Sequence, residues 1–326
     1  MGLKLSKKAE ELSRLSVEKA EESIAKEITN LYFLAQTTAE QLQIIEDNIA
    51  RNEKIADITK VVVDNGFGKK VDYDRIIVSI ENQYTQMSNV DALYQQQLNM
   101  MKYMLEMPLD VNIVLTDSPS LVLIDNPAIV SDFSNHVDMQ LLEKQKDISK
   151  LNEKAINSQY LPSLMFNGQW GLNGMRDEFK DFFHGGAANK WFDSYSIGLT
   201  LSVPIFDGCE KRSKSRQAKI DSKKSVMTYD NMQSKMNVDY QNATKDYFNN
   251  KKNVERQQKN IELAEKTYSE TSLKYREGMA TMSDLLQDQT GLSDAQNNYL
   301  NALYNFKSAE LELMSLNGQI KNLYRN

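Results

Sequence analysis

The side chains best suited to chemistry in this 326-residue chain are few and scattered. Its two histidines, His136 and His184, are far apart in sequence and share no ligand spacing with another donor. A metal centre needs several such groups at helix or turn spacing, as in paired histidines or a Cys-x-x-Cys. The single cysteine, Cys209, forbids an intrachain disulfide. No phosphate-binding glycine loop and no nucleophile elbow occurs. Aspartate and glutamate are plentiful, but their spacings are those of solvated helix faces. Two carboxylates stand out from that background. Asp72 and Asp284 each follow, at one common spacing, a glycine that interrupts a long apolar repeat: Gly66 for the first and Gly278 for the second. In the first turn of a helix, a carboxylate accepts unpaired backbone N–H groups and meets the positive end of the helix dipole. The chemistry on offer is therefore capping and charge, not catalysis. The chain reads as a non-enzyme with no metal and no cofactor.

The elements that position these carboxylates come from a duplication. Leu42, Ile49, Ala56 and Val63 lead to Gly66 and Asp72, and Tyr73, Ile80, Met87, Tyr94 and Met101 follow at the same period. The pattern returns without insertion 212 residues later. Val254, Ile261, Tyr268 and Tyr275 lead to Gly278 and Asp284, and Leu285, Leu292, Tyr299, Phe306 and Leu313 follow. Each copy reads as a long helix, a tight glycine turn and a returning helix with an apolar heptad seam. The first helix, over 3–63, would be a rod of roughly 90 Å, too long for a compact globule. In the second returning helix Ala295, Ala302 and Ala309 alternate with large seam residues, so that a neighbouring helix can approach closely.

Between the copies the period changes. Residues 108–126 form an equatorial segment of short β-like runs. A helix is expected over 127–158, opened by Asn126-Pro127. Residues 160–206 then read as a β-hairpin. Tyr195, Ile197, Leu199, Leu201, Val203 and Ile205 face one way, and Ser194, Ser196, Gly198, Thr200 and Ser202 the other. Leu164, Phe166, Trp170 and Leu172 form the weaker partner. Strands of this length suit a tilted bilayer crossing. The polar link between them carries Phe179, Phe182, Phe183, Trp191 and Phe192. An isolated hairpin in water is marginal, and no other sheet is evident to receive this one. The organisation expected is a helical hairpin over 1–107, the equatorial segment 108–126, and a second repeat over 127–326, whose own helical hairpin covers 207–318.

Composition limits the function. The net charge is −6 and the pI about 5.3, and no dense basic face is visible in the sequence, which argues against nucleic acid as a partner. No run is long and apolar enough for a membrane-spanning helix, and Met1-Gly2-Leu3-Lys4-Leu5-Ser6 lacks the apolar core of a signal peptide.

Several short motifs now combine. Leu161-Pro162-Ser163-Leu164 opens the strand pair, and Val203-Pro204-Ile205-Phe206-Asp207-Gly208 closes it. Tyr275-Arg276-Glu277-Gly278 and Ser283-Asp284-Leu285-Leu286 mark the second turn, and His136-Val137-Asp138 looks like a variant of an Arg-Pro-Asp signature. With the repeat, these resemble the TolC-like outer-membrane efflux family over nearly the whole chain. The resemblance implies a mainly α fold with a membrane β-hairpin. In that fold, long coiled-coil helical hairpins form a trimeric α-barrel tube joined to an outer-membrane β-barrel. It implies a homotrimer in outer-membrane lipid, with its helical part in the periplasm. There it would dock a periplasmic adaptor protein linked to an inner-membrane pump. The function implied is passive export, in efflux or type I secretion.

Carried over by position, Gly66, Asp72, Tyr275, Gly278 and Asp284 would line the periplasmic tip. Asp284 would form an acidic ring, and Tyr275 would latch onto Asp72. A second latch of the family uses an arginine where this chain has Ala280, with Val71 at its usual partner, and a second acidic ring falls on Gln287, next to Asp288. The resemblance also implies a helix and strand pair ahead of Gly2. The chain therefore reads as an N-terminally shortened form without its export signal, and three copies would offer six strands instead of twelve. The competing reading is a soluble coiled-coil scaffold whose seams bind partner helices.

Overall fold

The computed structural model describes residues 2–116, 133–175 and 191–324. Five helices and one strand pair make up the described chain: α1 (Gly2–Asp64), α2 (Lys70–Met104), α3 (Val137–Asn157), β1 (Ser163–Gly174), β2 (Trp191–Ser202), α4 (Glu210–Arg276) and α5 (Met282–Leu316). A single 3-10 turn follows α3 and another follows α5. The long helices are nearly free of breakers. No proline lies in any of them, and Gly291 is the one glycine inside the helices beyond the first residue of α1. The expected strand-like run at 121–124, the Asn126-Pro127 helix start, and Phe179, Phe182, Phe183 and His184 lie outside the described residues.

Two compact units are distinguished. One comprises Met1–Leu12 and Leu142–Tyr229, and the other Ser13–Leu141 and Asp230–Asn326. The second unit holds the duplicated helical hairpins. Every seam residue of both copies is buried or half-buried, as a heptad stripe requires. Near the glycine turns, Ile55 and Ala56 of α1, Ile76 and Ile80 of α2, Tyr268 of α4, and Met282, Leu285 and Leu292 of α5 form one apolar cluster. A second cluster joins Ile45 and Ile49 to Val90, and so zips α1 to α2. Alongside these, α1 and α5 exchange polar contacts in antiparallel order: Lys26 with Glu312 at 2.5 Å, Asn30 with Tyr304 at 3.2 Å, Gln41 with Asn297 at 3.0 Å and Asn48 with Gln296 at 3.3 Å. Amides buried in this way must find partners, so the ladder fixes the register of two helices whose apolar seams alone would allow sliding. One ion pair is fully buried: Lys307 donates to Glu310 at 3.2 Å, with side chains 3% and 0% exposed. Burial pushes the Lys307 pKa down, and Glu310 opposes that shift.

The expectation of one continuous helix over 127–158 is corrected. Among the described residues, 133–136 are not helical, and α3 begins at Val137. His136 explains why: its Nδ1 accepts the N–H of Asp138 at 3.2 Å, so the imidazole caps the helix from the position before it. Burial lowers the pKa of His136, and the neutral ring is the form that leaves Nδ1 free to accept. This histidine has a structural task.

The first unit holds the β-hairpin. β1 and β2 pair antiparallel, from Ser163 opposite Ser202 to Gly174 opposite Trp191. β2 ends at Ser202, so Val203 lies just beyond the strand in which it was expected. The residue that would face Val203 is Pro162, and Pro204 follows it. Neither proline has an N–H to donate, and the ladder stops between them.

Candidate functional site

The two glycine turns have the same backbone. Gly66 and Gly278 have φ of +79° and +73°, the left-handed region that glycine enters without a Cβ penalty. In the first turn, Gly66 N–H bonds to Val63 O at 2.9 Å and Phe67 N–H to Val62 O at 3.0 Å. In the second, Gly278 N–H bonds to Tyr275 O at 3.0 Å and Met279 N–H to Lys274 O at 2.8 Å. Each pair is a Schellman cap, and each acceptor and donor maps onto its counterpart by the repeat. The shared apolar cluster brings both turns into one unit, with Tyr73 and Tyr275 packed against it.

The turns differ in how the next helix starts. Thr281 caps α5: its hydroxyl accepts the Asp284 N–H at 3.1 Å, while the Asp284 carboxylate accepts the Thr281 N–H at 3.0 Å and its hydroxyl at 2.7 Å. This is a full capping box. The hydrogen bonds from the Thr281 side chain and backbone hold the exposed Asp284 carboxyl below its ordinary pKa, so it is ionised at neutral pH. In the first copy, Lys69 takes the place of Thr281 and makes no side-chain cap bond. Asp72 instead lies 3.7 Å from Arg75 on the next turn of α2.

The anticipated pairing of Tyr275 with Asp72 is not found. The Tyr275 hydroxyl lies 2.9 Å from Thr59 Oγ1 on α1. Thr59 already donates its one hydroxyl proton to Ile55 O at 2.8 Å, so Tyr275 is the donor. Tyr275 occupies the seam, where it reaches across to α1, and Asp72 is held on α2 by its own neighbour. The Thr281 cap could have been found in the sequence as Thr-x-x-Asp. The Thr59 bond needs the helix register and could not.

The hairpin register produces one continuous apolar face. Leu164 stands opposite Leu201, Phe166 opposite Leu199, Gly168 opposite Ile197 and Trp170 opposite Tyr195. These side chains are open to solvent in the single chain: Phe166 is 71% exposed, Ile197 79% and Tyr195 73%. The other face pairs Ser163 with Ser202, Gln169 with Ser196 and Gly171 with Ser194. Such an apolar face has no place in water unless something covers it. Among the described residues, no helix is long and apolar enough to cross a membrane, and no cluster of three metal-ligating side chains occurs.

The duplicated helical hairpins and the two-faced strand pair define the class, and comparison with known proteins agrees. The family model described as outer membrane efflux protein matches residues 134–319. The chain belongs to this TolC-like family of outer-membrane efflux proteins. Its fold is similar to that of the outer-membrane channel OprN, at a TM-score of 0.81 and 17% identity, covering 97% of this chain and 71% of that one. It is similar to the Campylobacter jejuni outer-membrane channel CmeC, at 0.81 and 16%, covering 97% and 67%. It is also similar to the Neisseria gonorrhoeae outer-membrane channel MtrE in its open state, at 0.78 and 15%, covering 96% and 70%. Comparison with curated protein sequences returns no match.

Proposed function

We propose that this chain is the outer-membrane channel component of a tripartite efflux or type I secretion system, a passive duct across the periplasm and outer membrane. The paired apolar face of the β-hairpin carries this reading. From Leu164 to Trp170 the face runs about 20 Å along the strand at ~3.3 Å per residue, and beyond it Leu172 stands opposite Asp193. At a tilt of about 40° it covers roughly 15 Å of bilayer, the central part of the apolar band of outer-membrane barrels. The polar face, with Ser194, Ser196 and Gln169, would line the lumen. On this reading a homotrimer supplies strands to an outer-membrane barrel and long helices to a periplasmic tube, with outer-membrane lipid around the strands. The helical hairpins stand in the periplasm, and an adaptor protein joins their turns to an inner-membrane pump.

On this reading Gly66, Asp72, Tyr275, Gly278 and Asp284 belong to the periplasmic tip. Asp284, exposed and held ionised by Thr281, is the group suited to a ring of charge. Three such carboxylates in one constriction favour cations. The test is ion selectivity in planar bilayers. Asp284→Asn keeps an acceptor for Thr281 and removes the charge, so cation preference should fall while the channel still forms. Unchanged selectivity would remove Asp284 from the pore. A chain that remains monodisperse without detergent would instead favour the soluble scaffold.

A further inference from the structure

The overall charge of −6 conceals a division. The unit that carries the β-hairpin has five more basic than acidic side chains, and the unit that carries the glycine turns holds the acidic excess. Lysines dispersed in the sequence meet in the fold of this unit. Within the hairpin unit, α1 and α3 run antiparallel, as two contacts show. Lys144 reaches Glu11 at 2.8 Å, and Lys8 lies 3.7 Å from Asp147. The start of α1 is thus beside the end of α3, the end that leads into β1.

A groove of about 430 Å³ lies between these two helix ends, lined by five lysines, two carboxylates and Leu151. Both carboxylates are already engaged: Glu11 by Lys8 and Lys144, and Asp147 by Lys8. Lys4, Lys7, Lys150 and Lys154 are exposed and have no ion-pair partner among the described residues. Four like charges around one groove repel each other, and an anion placed among them relieves that repulsion. On the strand side of the groove, α3 is followed by exposed Tyr160 and Leu161 and then by the apolar ladder, while β2 leaves through exposed Ile205 and Phe206. Basic side chains, then an aromatic and apolar collar, then an apolar band is the order met on entering a bilayer through its headgroups.

We propose that the groove binds the phosphate of anionic lipid headgroups, with Lys4, Lys7, Lys150 and Lys154 supplying the charge. This rests on the reading of the hairpin as membrane-embedded. The chemistry recognised is a phosphate anion, and the lipid is its source for two reasons. The exposed apolar ladder belongs to the same unit. Lysine is a compact charge on a flexible stem, suited to a laterally mobile surface of headgroups, whereas a single fixed phosphate is better held by the planar fork of arginine.

The test is flotation of the full-length purified chain with vesicles of phosphatidylcholine alone and of phosphatidylcholine with phosphatidylglycerol. It compares the native chain with a variant carrying Lys4→Gln, Lys7→Gln, Lys150→Gln and Lys154→Gln. A second variant neutralises four exposed lysines of α4 in the other unit: Lys251→Gln, Lys252→Gln, Lys259→Gln and Lys266→Gln. Far-UV circular dichroism checks that both variants fold. The native chain should prefer the anionic vesicles. A juxtamembrane lysine is worth about a fivefold gain, so the groove variant should lose roughly a hundredfold or more of that preference, and added salt should erase it. The α4 variant should keep it. Equal preference in the groove variant overturns the site and leaves the membrane reading intact. Failure of the native chain to bind either vesicle overturns the membrane reading and the lipid site with it. If free inorganic phosphate at modest concentration abolishes the preference, and more strongly than chloride of equal ionic strength, the groove takes a soluble anion and the lipid assignment is wrong.

Discussion

The sharpest test of the hairpin assignment is a depth series of single arginines. Ile197 stands opposite Gly168, midway along the apolar ladder, and is 79% exposed in the single chain. Leu201 pairs with Leu164 at the edge of the band, about 13 Å along the strand from Ile197 at ~3.3 Å per residue. Ser196 is adjacent to Ile197 but belongs to the opposite face. An arginine facing lipid at the bilayer midplane costs about 2–4 kcal/mol per chain, falling to about 0–1 kcal/mol near the interface. Ile197→Arg should therefore destabilise the membrane-inserted protein by about 2–4 kcal/mol per chain and Leu201→Arg by about 1 kcal/mol or less, while Ser196→Arg, facing water, should be nearly neutral. In an assembly with more than one copy the penalties accumulate, and the gradient becomes steeper. The assay is reversible urea unfolding in lipid vesicles, followed by tryptophan fluorescence. The same three variants should also be compared for aggregation without detergent, where Ile197→Arg should help. A flat profile, or equal loss for Ser196→Arg and Ile197→Arg, would refute the two-faced membrane hairpin.

Further outcomes follow from the helical unit. Thr281→Ala should cost about 1 kcal/mol by removing the α5 cap, and Lys69→Thr should stabilise α2 by a similar amount by building the same box with Asp72. Both are read by thermal unfolding. Because hydrogen bonds depress the folded-state pKa of Asp284, its contribution is complete above the ordinary carboxyl value of 3.8 and is lost as pH falls through the lower folded value. The Thr281→Ala difference should accordingly shrink in that acid window. Tyr275→Phe should cost about 1 kcal/mol by leaving Thr59 without its donor, and a double-mutant cycle with Asp72→Ala should show no coupling. Glu310→Gln should cost about 3–5 kcal/mol, because it strands buried Lys307, whereas the pair Lys307→Met with Glu310→Leu should recover most of that loss in chemical denaturation.

Much of this fold is legible in the sequence, because the repeat states its own geometry. A heptad seam that stops at glycine and resumes at a fixed spacing leaves few alternatives to two helical hairpins, and the seam residues are indeed covered. Strict alternation from Tyr195 to Leu201 likewise places the strand and its two faces. Information carried by contact instead of period is not legible. Tyr275 lies on the seam whether it bonds Asp72 or Thr59, and only the approach of α1 to α4 decides. The break ahead of Val137 is of the same kind, since the imidazole cap at His136 is an unusual signal that no periodicity announces. The lysine groove was hidden for the same reason: Lys4 and Lys154 lie far apart in sequence and meet through antiparallel helix ends.

The duplication also gives the two turns unequal stability, and this bears on how a duct could open. Both turns end their first helix with the same Schellman cap, so the difference lies in the helices that follow. The first turn of α5 is fixed locally, since Thr281 and Asp284 satisfy each other's backbone N–H groups without help from another helix. The first turn of α2 has no such cap at Lys69 and depends on tertiary packing through Tyr73, Ile76 and Ile80. Ile76 is fully buried, so that packing is firm while the hairpins stay together. If they separate, α2 loses its support and α5 keeps its own. Local opening should follow the weaker constraint. Amide exchange in the first turn of α2 should therefore outpace that of α5, and Lys69→Thr should remove the difference. On the reading of these turns as the closed periplasmic end, the first hairpin is the one that yields and the second is the frame against which it moves. Faster exchange at the start of α5 would reverse that assignment.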